Sequence, residues 1–116
     1  MSDNPYKERM EFMSQNRSTL YHFFKDNGFQ MKSLKIGKGV YKVFQVPYDW
    51  EMAYLMINDV RITDFESVII FTNELVVRFN QFEDWQINIP YATIQYIEVS
   101  NDLDLGYHGL HMNKLV

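Results

Sequence analysis

The sequence predicts an α+β fold: an N-terminal helix packed on a mainly antiparallel sheet of about five to seven strands. Three observations carry it. The apolar period changes at Gly28, from a helical spacing before it to short runs rich in Val, Ile, Tyr and Phe after it. Turn residues punctuate those runs at roughly 8 to 12 residues, the spacing of antiparallel β domains. A chain of 116 residues with 47% hydrophobic and 16% aromatic residues has enough apolar surface for one core, so a single domain is expected over residues 1–116. Within it, 1–28 reads as helical, 29–100 as the β-rich core and 101–116 as a tail or a short final element.

Each element has a local reason. Asp3 or Asn4 ahead of Pro5 is a helix start, because an Asx side chain satisfies an orphan amide and proline suits the first helical position. Tyr6, Met10, Met13, Leu20 and Phe24 then follow a 3.6-residue stripe, interrupted by Arg17, up to the stop at Asn27-Gly28. The poor helix formers from Ser14 to Ser18 leave a kink as the alternative to one continuous helix. Strands are expected near Gln30 to Ile36, Val40 to Val46, Ala53 to Ile57, Ser67 to Phe71, Leu75 to Phe79, Trp85 to Ile89 and Thr93 to Val99. Gly37-Lys38-Gly39 and Thr72-Asn73-Glu74 are the hairpin turns, since Gly and Asn tolerate positive φ. Pro90 cannot donate to a ladder and marks a corner or an edge.

Charge is unevenly distributed. Eight bases against four acids leave residues 1–46 at +4, whereas three bases against eleven acids leave 47–116 at −8. Such asymmetry steers association and selects the sign of a partner. The overall −4 disfavours nucleic acid. No cysteine is present, which rules out disulfides, thiolate metal sites and a cysteine nucleophile, and fits a cytoplasmic location. No apolar run is long enough for a bilayer-spanning helix.

The stretch from Val68 to Val99 reads V-I-I-F-T-N-E-L-V-V-R-F, a polar turn, then W-Q-I-N-I-P-Y-A-T-I-Q-Y-I-E-V. Phe71-Thr72-Asn73 opens a hairpin that contains Leu75-Val76-Val77, and Ile89-Pro90-Tyr91 comes shortly before Ile94 and Ile97. In this order it resembles bacterial pleckstrin-homology and GRAM-like domains. The resemblance implies that the sheet is a strongly bent, seven-stranded one or a partial barrel, closed at one end by a C-terminal helix. Here a short tail with Gly106 and Gly109 follows Val99, so the N-terminal helix is expected to cover the open end instead.

Two groups of residues are candidate binding sites. Trp50, Glu51, Phe82, Glu83 and Asp84, with Tyr48 and Asp49 nearby, set aromatic rings among acids in predicted connections, the composition of a hot spot for a protein with a basic surface. Lys32, Lys35, Lys38 and Lys42 flank a glycine turn and are the alternative, an anion site. The resemblance implies that such basic residues hold lipid headgroups at a membrane surface. The ordinary reading is that they keep an edge hairpin soluble. Gly37-Lys38-Gly39-Val40 lacks the glycines and the strand-loop-helix context of a nucleotide loop. His108 and His111 fall short of the ligand count of a metal site, and no nucleophile elbow occurs. The chain is therefore expected to be a small acidic non-enzymatic protein-binding module with no cofactor, of the kind that bacteria and phages use as inhibitors, immunity proteins or anti-defence factors. An accessory subunit of a larger complex is the remaining alternative.

Overall fold

The computed structural model describes residues 5–79, 85–101 and 108–112, with side chains described from Gln15 onward except at 108, 109 and 111. The expected α+β class is what it shows: one helix and nine strands in two antiparallel sheets among the described residues.

Helix α1 runs without a break over Pro5–Asp26, so the poor formers around Ser14 do not divide it. Pro5 stands at its start as expected; Asp3 and Asn4 lie outside the described residues, as do the side chains of Tyr6, Met10 and Met13. Leu20 and Phe24 are fully buried, but the buried stripe runs back through Asn16, while Arg17 is exposed. The helix stops where Gly28 takes φ +87°. The Gly28 amide donates to the Lys25 carbonyl and the Phe29 amide to the Phe24 carbonyl, both at 3.1 Å, while the Phe24 and Phe29 rings meet 5.2 Å apart. This paired capping, with an apolar contact across it, is the Schellman arrangement that glycine favours.

The strands are β1 (Gln30–Ile36), β2 (Gly39–Gln45), β3 (Ala53–Ile57), β4 (Val60–Thr63), β5 (Phe65–Ile70), β6 (Glu74–Phe79), β7 (Gln86–Pro90), β8 (Tyr96–Asn101) and β9 (His108–His111). One sheet has the order β1-β2-β5-β6-β7 and the other β4-β3-β8-β9. Both expected hairpin turns are present. Gly37 at φ +60° opens the β1–β2 turn, and Phe71 donates to the Glu74 carbonyl across the β5–β6 turn.

Three features depart from the expected strand list. Residues 93–95 are not strand: Tyr91–Thr93 forms a 3₁₀ turn, closed by the Thr93 hydroxyl on the Pro90 carbonyl (2.8 Å) and the Ile94 amide on the Tyr91 carbonyl (3.1 Å). Asn58, at φ +55°, makes the turn into the unexpected β4. Its amide group donates to the Thr93 carbonyl, and its side-chain oxygen accepts from the amides of Gln95 (2.8 Å) and Tyr96 (3.1 Å). One asparagine thus ties two connections together, which is possible because Asn tolerates the left-handed region. Finally, the tail supplies β9, which pairs with β8 from Tyr96↔His111 to Val99↔His108, and Met112 beyond it is buried.

The main core lies between the two sheets. Phe44, Val68, Ile70, Leu75 and Val77 from the first sheet face Leu55, Ile57, Ile62, Ile97 and Val99 from the second, and Leu20, Phe23 and Phe24 of α1 complete it. The helix packs on β2 and β5. A smaller cluster, Val43, Ile69 and Val76, sits on the other face of the first sheet, with Leu34, Tyr41 and Phe71 against it.

Candidate functional site

The β1–β2 hairpin projects a largely exposed outer strand. Among the described residues strand β1 pairs only with β2, and six of its seven residues are exposed. Ladder geometry fixes which backbone groups remain open. The Val46 amide donates to the Glu66 carbonyl, so the even-numbered residues of β2 hydrogen-bond toward β5 and the odd-numbered ones toward β1. With Ile36↔Gly39, Leu34↔Tyr41 and Lys32↔Val43 as pairs, the backbone groups of Met31, Ser33 and Lys35 point away from the sheet. Among the described residues no further strand pairs with these three outward-facing positions.

The same register sorts the four lysines. Lys35 and Lys42 share the helix-side face with Phe44, Lys32 lies on the opposite face with Val43, and Lys38 occupies the turn. They do not form one cradle. Lys42 instead joins Arg17, Ser18 and Tyr21 of α1 in lining a cleft between the helix and β2, a grouping that sequence spacing does not show. Apolar side chains are interleaved with the lysines: Met31, Ile36 and Val40 are 42%, 43% and 64% exposed.

The acidic and aromatic group is divided differently. Phe82, Glu83 and Asp84 lie outside the described residues. Trp50 is half-buried, its ring meeting Phe29 edge-on at 5.5 Å and packing on the main core, so its first role is structural. Glu51 and Asp49 are exposed, and Tyr48 beside them is 98% exposed, making Tyr48 the ring that stands among acids in solvent. Trp85 is 58% exposed, with its ring 5.6 Å from that of Phe79.

A polar group on the outer face of the second sheet was not anticipated. The hydroxyls of Tyr54 (2.7 Å) and Tyr96 (2.8 Å) donate to the two oxygens of Glu98, and the Arg61 guanidinium lies 4.3 Å from the Tyr54 ring centre. The hydrogen bond to Glu98 holds the Tyr96 hydroxyl above the usual tyrosine range, because a phenol that donates to a carboxylate resists losing its proton. The arrangement pins two rings and a strand register, and its only sequence signal is the alternation of Tyr96 and Glu98.

Among the described residues no three His, Asp or Glu side chains gather as a metal site would require, and the backbone at His108–His111 is a strand rather than a helical turn. Among them, too, no helix is long and apolar enough to cross a membrane. Compared with protein-family models, curated proteins and solved structures, the chain matches none.

Proposed function

We propose that this protein is a non-enzymatic binding module that takes an extended acidic segment of another protein as an added strand along β1. The observation that carries this reading is the open edge at Met31, Ser33 and Lys35, set in a hairpin whose apolar and cationic side chains are both solvent-facing. Strand addition draws affinity from main-chain hydrogen bonds and specificity from alternate side chains. On one face Leu34 and Ile36 would meet apolar residues of the added strand, and on the other Lys35 its carboxylates. A second copy of β1 is a poor occupant, since it brings a second set of cations, Lys32 and Lys35, to the same edge. The partner's sign thus differs from the basic surface expected from the acidic residues, because the open edge carries lysines. An inhibitor or immunity factor acts in this way, by occupying a segment that its target needs.

The test is Ser33→Pro. The Ser33 amide does not serve the β1–β2 ladder, so proline there removes an outward donor at an edge position where it is tolerated. Binding of a short fluorescent peptide of alternating Glu and Val, read by anisotropy, should weaken by about tenfold or more. The midpoint of thermal unfolding should change little. Unchanged peptide binding in Ser33→Pro refutes the edge as the site.

A further inference from the structure

The cleft between α1 and β2 holds chemistry that the edge-strand reading does not use. On α1, Asn16, Leu20, Phe23 and Phe24 turn to the core, which leaves Arg17, Ser18 and Tyr21 on the flank facing β2. From the sheet, Val40 and Lys42 share a face by alternation, and Lys42 pairs with Ile70 on β5. Together with Tyr41 these residues line a cleft of about 300 Å³. Among the described residues no carboxylate lines it, and neither Arg17 nor Lys42 is joined to an acid. Two cations on opposite walls repel one another unless an anion lies between them, and this occurs in a protein whose net charge is −4.

We propose that this cleft binds the phosphate group of a small phosphomonoester with an apolar or aromatic body. A guanidinium presents a planar fork that holds two phosphate oxygens, and an ammonium adds a point charge from the other side. The Ser18 and Tyr21 hydroxyls are further donors, while Val40 and Ile70 offer apolar wall to the rest of the molecule. The Tyr21 ring is held in place: it meets Phe44 edge-on at 5.4 Å and has the Lys25 ammonium 5.7 Å from its centre. The volume is at the small end of ligand sites, suited to a compact ligand or to the headgroup of a larger one.

The proposal is tested on the full chain by NMR titration with phenyl phosphate, inorganic phosphate and benzoate at constant ionic strength. Phenyl phosphate should saturate, bind more tightly than inorganic phosphate, and shift resonances of Arg17, Tyr21 and Lys42. Arg17→Gln and Lys42→Gln should each weaken it by about tenfold. Both residues are exposed, so both variants should fold, and Arg17→Lys should recover part of the affinity. Lys32→Gln, on the other face of the hairpin, should have no effect. Flotation with phosphatidylcholine vesicles containing phosphatidic acid separates the two sources of such a phosphate. Flotation lost in both Gln variants assigns a lipid headgroup, and phenyl phosphate binding without flotation assigns a soluble phosphomonoester. Benzoate binding as tightly as phenyl phosphate, a Lys32→Gln loss equal to that of Lys42→Gln, or no saturation by any probe overturns the proposal.

Discussion

Asn58 offers the sharpest test of how the second sheet is held, because one side chain joins the β3–β4 turn to the connection leading into β8. Asn58→Ala removes three hydrogen bonds and leaves an alanine at φ +55°. Two of the bonds are solvent-exposed and the one from the Tyr96 amide is partly buried, so their net loss is about 2 kcal/mol. Alanine in the left-handed region adds roughly 1 kcal/mol. A total near 3 kcal/mol is a large share of the stability of a domain of this size and would lower its midpoint by about 10 °C or more. Two further variants separate the terms. Asn58→Gly removes the bonds without the backbone strain and should cost about 2 kcal/mol, whereas Asn58→Asp keeps the acceptor oxygen, loses only the donor to Thr93, and should cost about 1 kcal/mol. Urea unfolding followed by circular dichroism and tryptophan fluorescence measures all three. Costs within about 0.5 kcal/mol of one another, or an alanine variant as stable as the parent, would refute the view that this side chain pins the two connections.

Two other perturbations follow from the packing. Trp50→Ala should lower stability by about 2 kcal/mol in the same urea assay, because a half-buried ring against Phe29 leaves part of a cavity behind; a loss confined to binding would mean that the ring is an interface anchor instead. Tyr91 is 1% exposed, its hydroxyl donates to the Phe71 carbonyl, and burial holds that hydroxyl well above the usual tyrosine range, with the Arg17 charge opposing and the Glu74 charge adding. A raised folded pKa means that the folded state keeps a proton which the unfolded chain releases near pH 10, so this stability is complete below about pH 10 and is lost as pH rises through the folded value. Tyr91→Phe should cost about 1 kcal/mol at neutral pH and flatten the alkaline decline, as followed by tyrosinate absorbance and unfolding midpoint; an unchanged alkaline slope would assign the decline to other groups.

Much of the fold was legible because its signals are local. Pro5 at the helix start, Gly28 at its end and the two hairpin turns are backbone requirements written into single residues. What escaped detection depended on distant partners. Strand β4 is four residues long with one buried side chain, Ile62, and is entered and left through Asn58 and Asp64 in positive φ rather than through glycine. Strand β9 carries Gly109 and exists because β8 offers it a ladder. Asn16 takes a core-facing position on α1 that a purely apolar stripe would have left to a hydrophobic residue. The lysines were visible one by one, but the register separates Lys32 from Lys35 and Lys42, and only the packing of α1 on β2 brings Arg17 to Lys42. Trp50 among acids looked like an exposed anchor; the turn at Pro47, whose carbonyl accepts from the Trp50 amide at 3.0 Å, directs the ring onto Phe29 and leaves Tyr48 in solvent.

Amide hydrogen exchange along β1 tests the proposed strand addition most directly. In the free protein the amides of Met31, Ser33 and Lys35 should exchange quickly while those of Lys32 and Leu34, bonded to β2, are protected. With saturating Glu-Val peptide, Met31, Ser33 and Lys35 should become protected as a set, and Lys32 and Leu34 should change little. Peptide binding that leaves those three amides unprotected, or that protects β7 in their place, would contradict it.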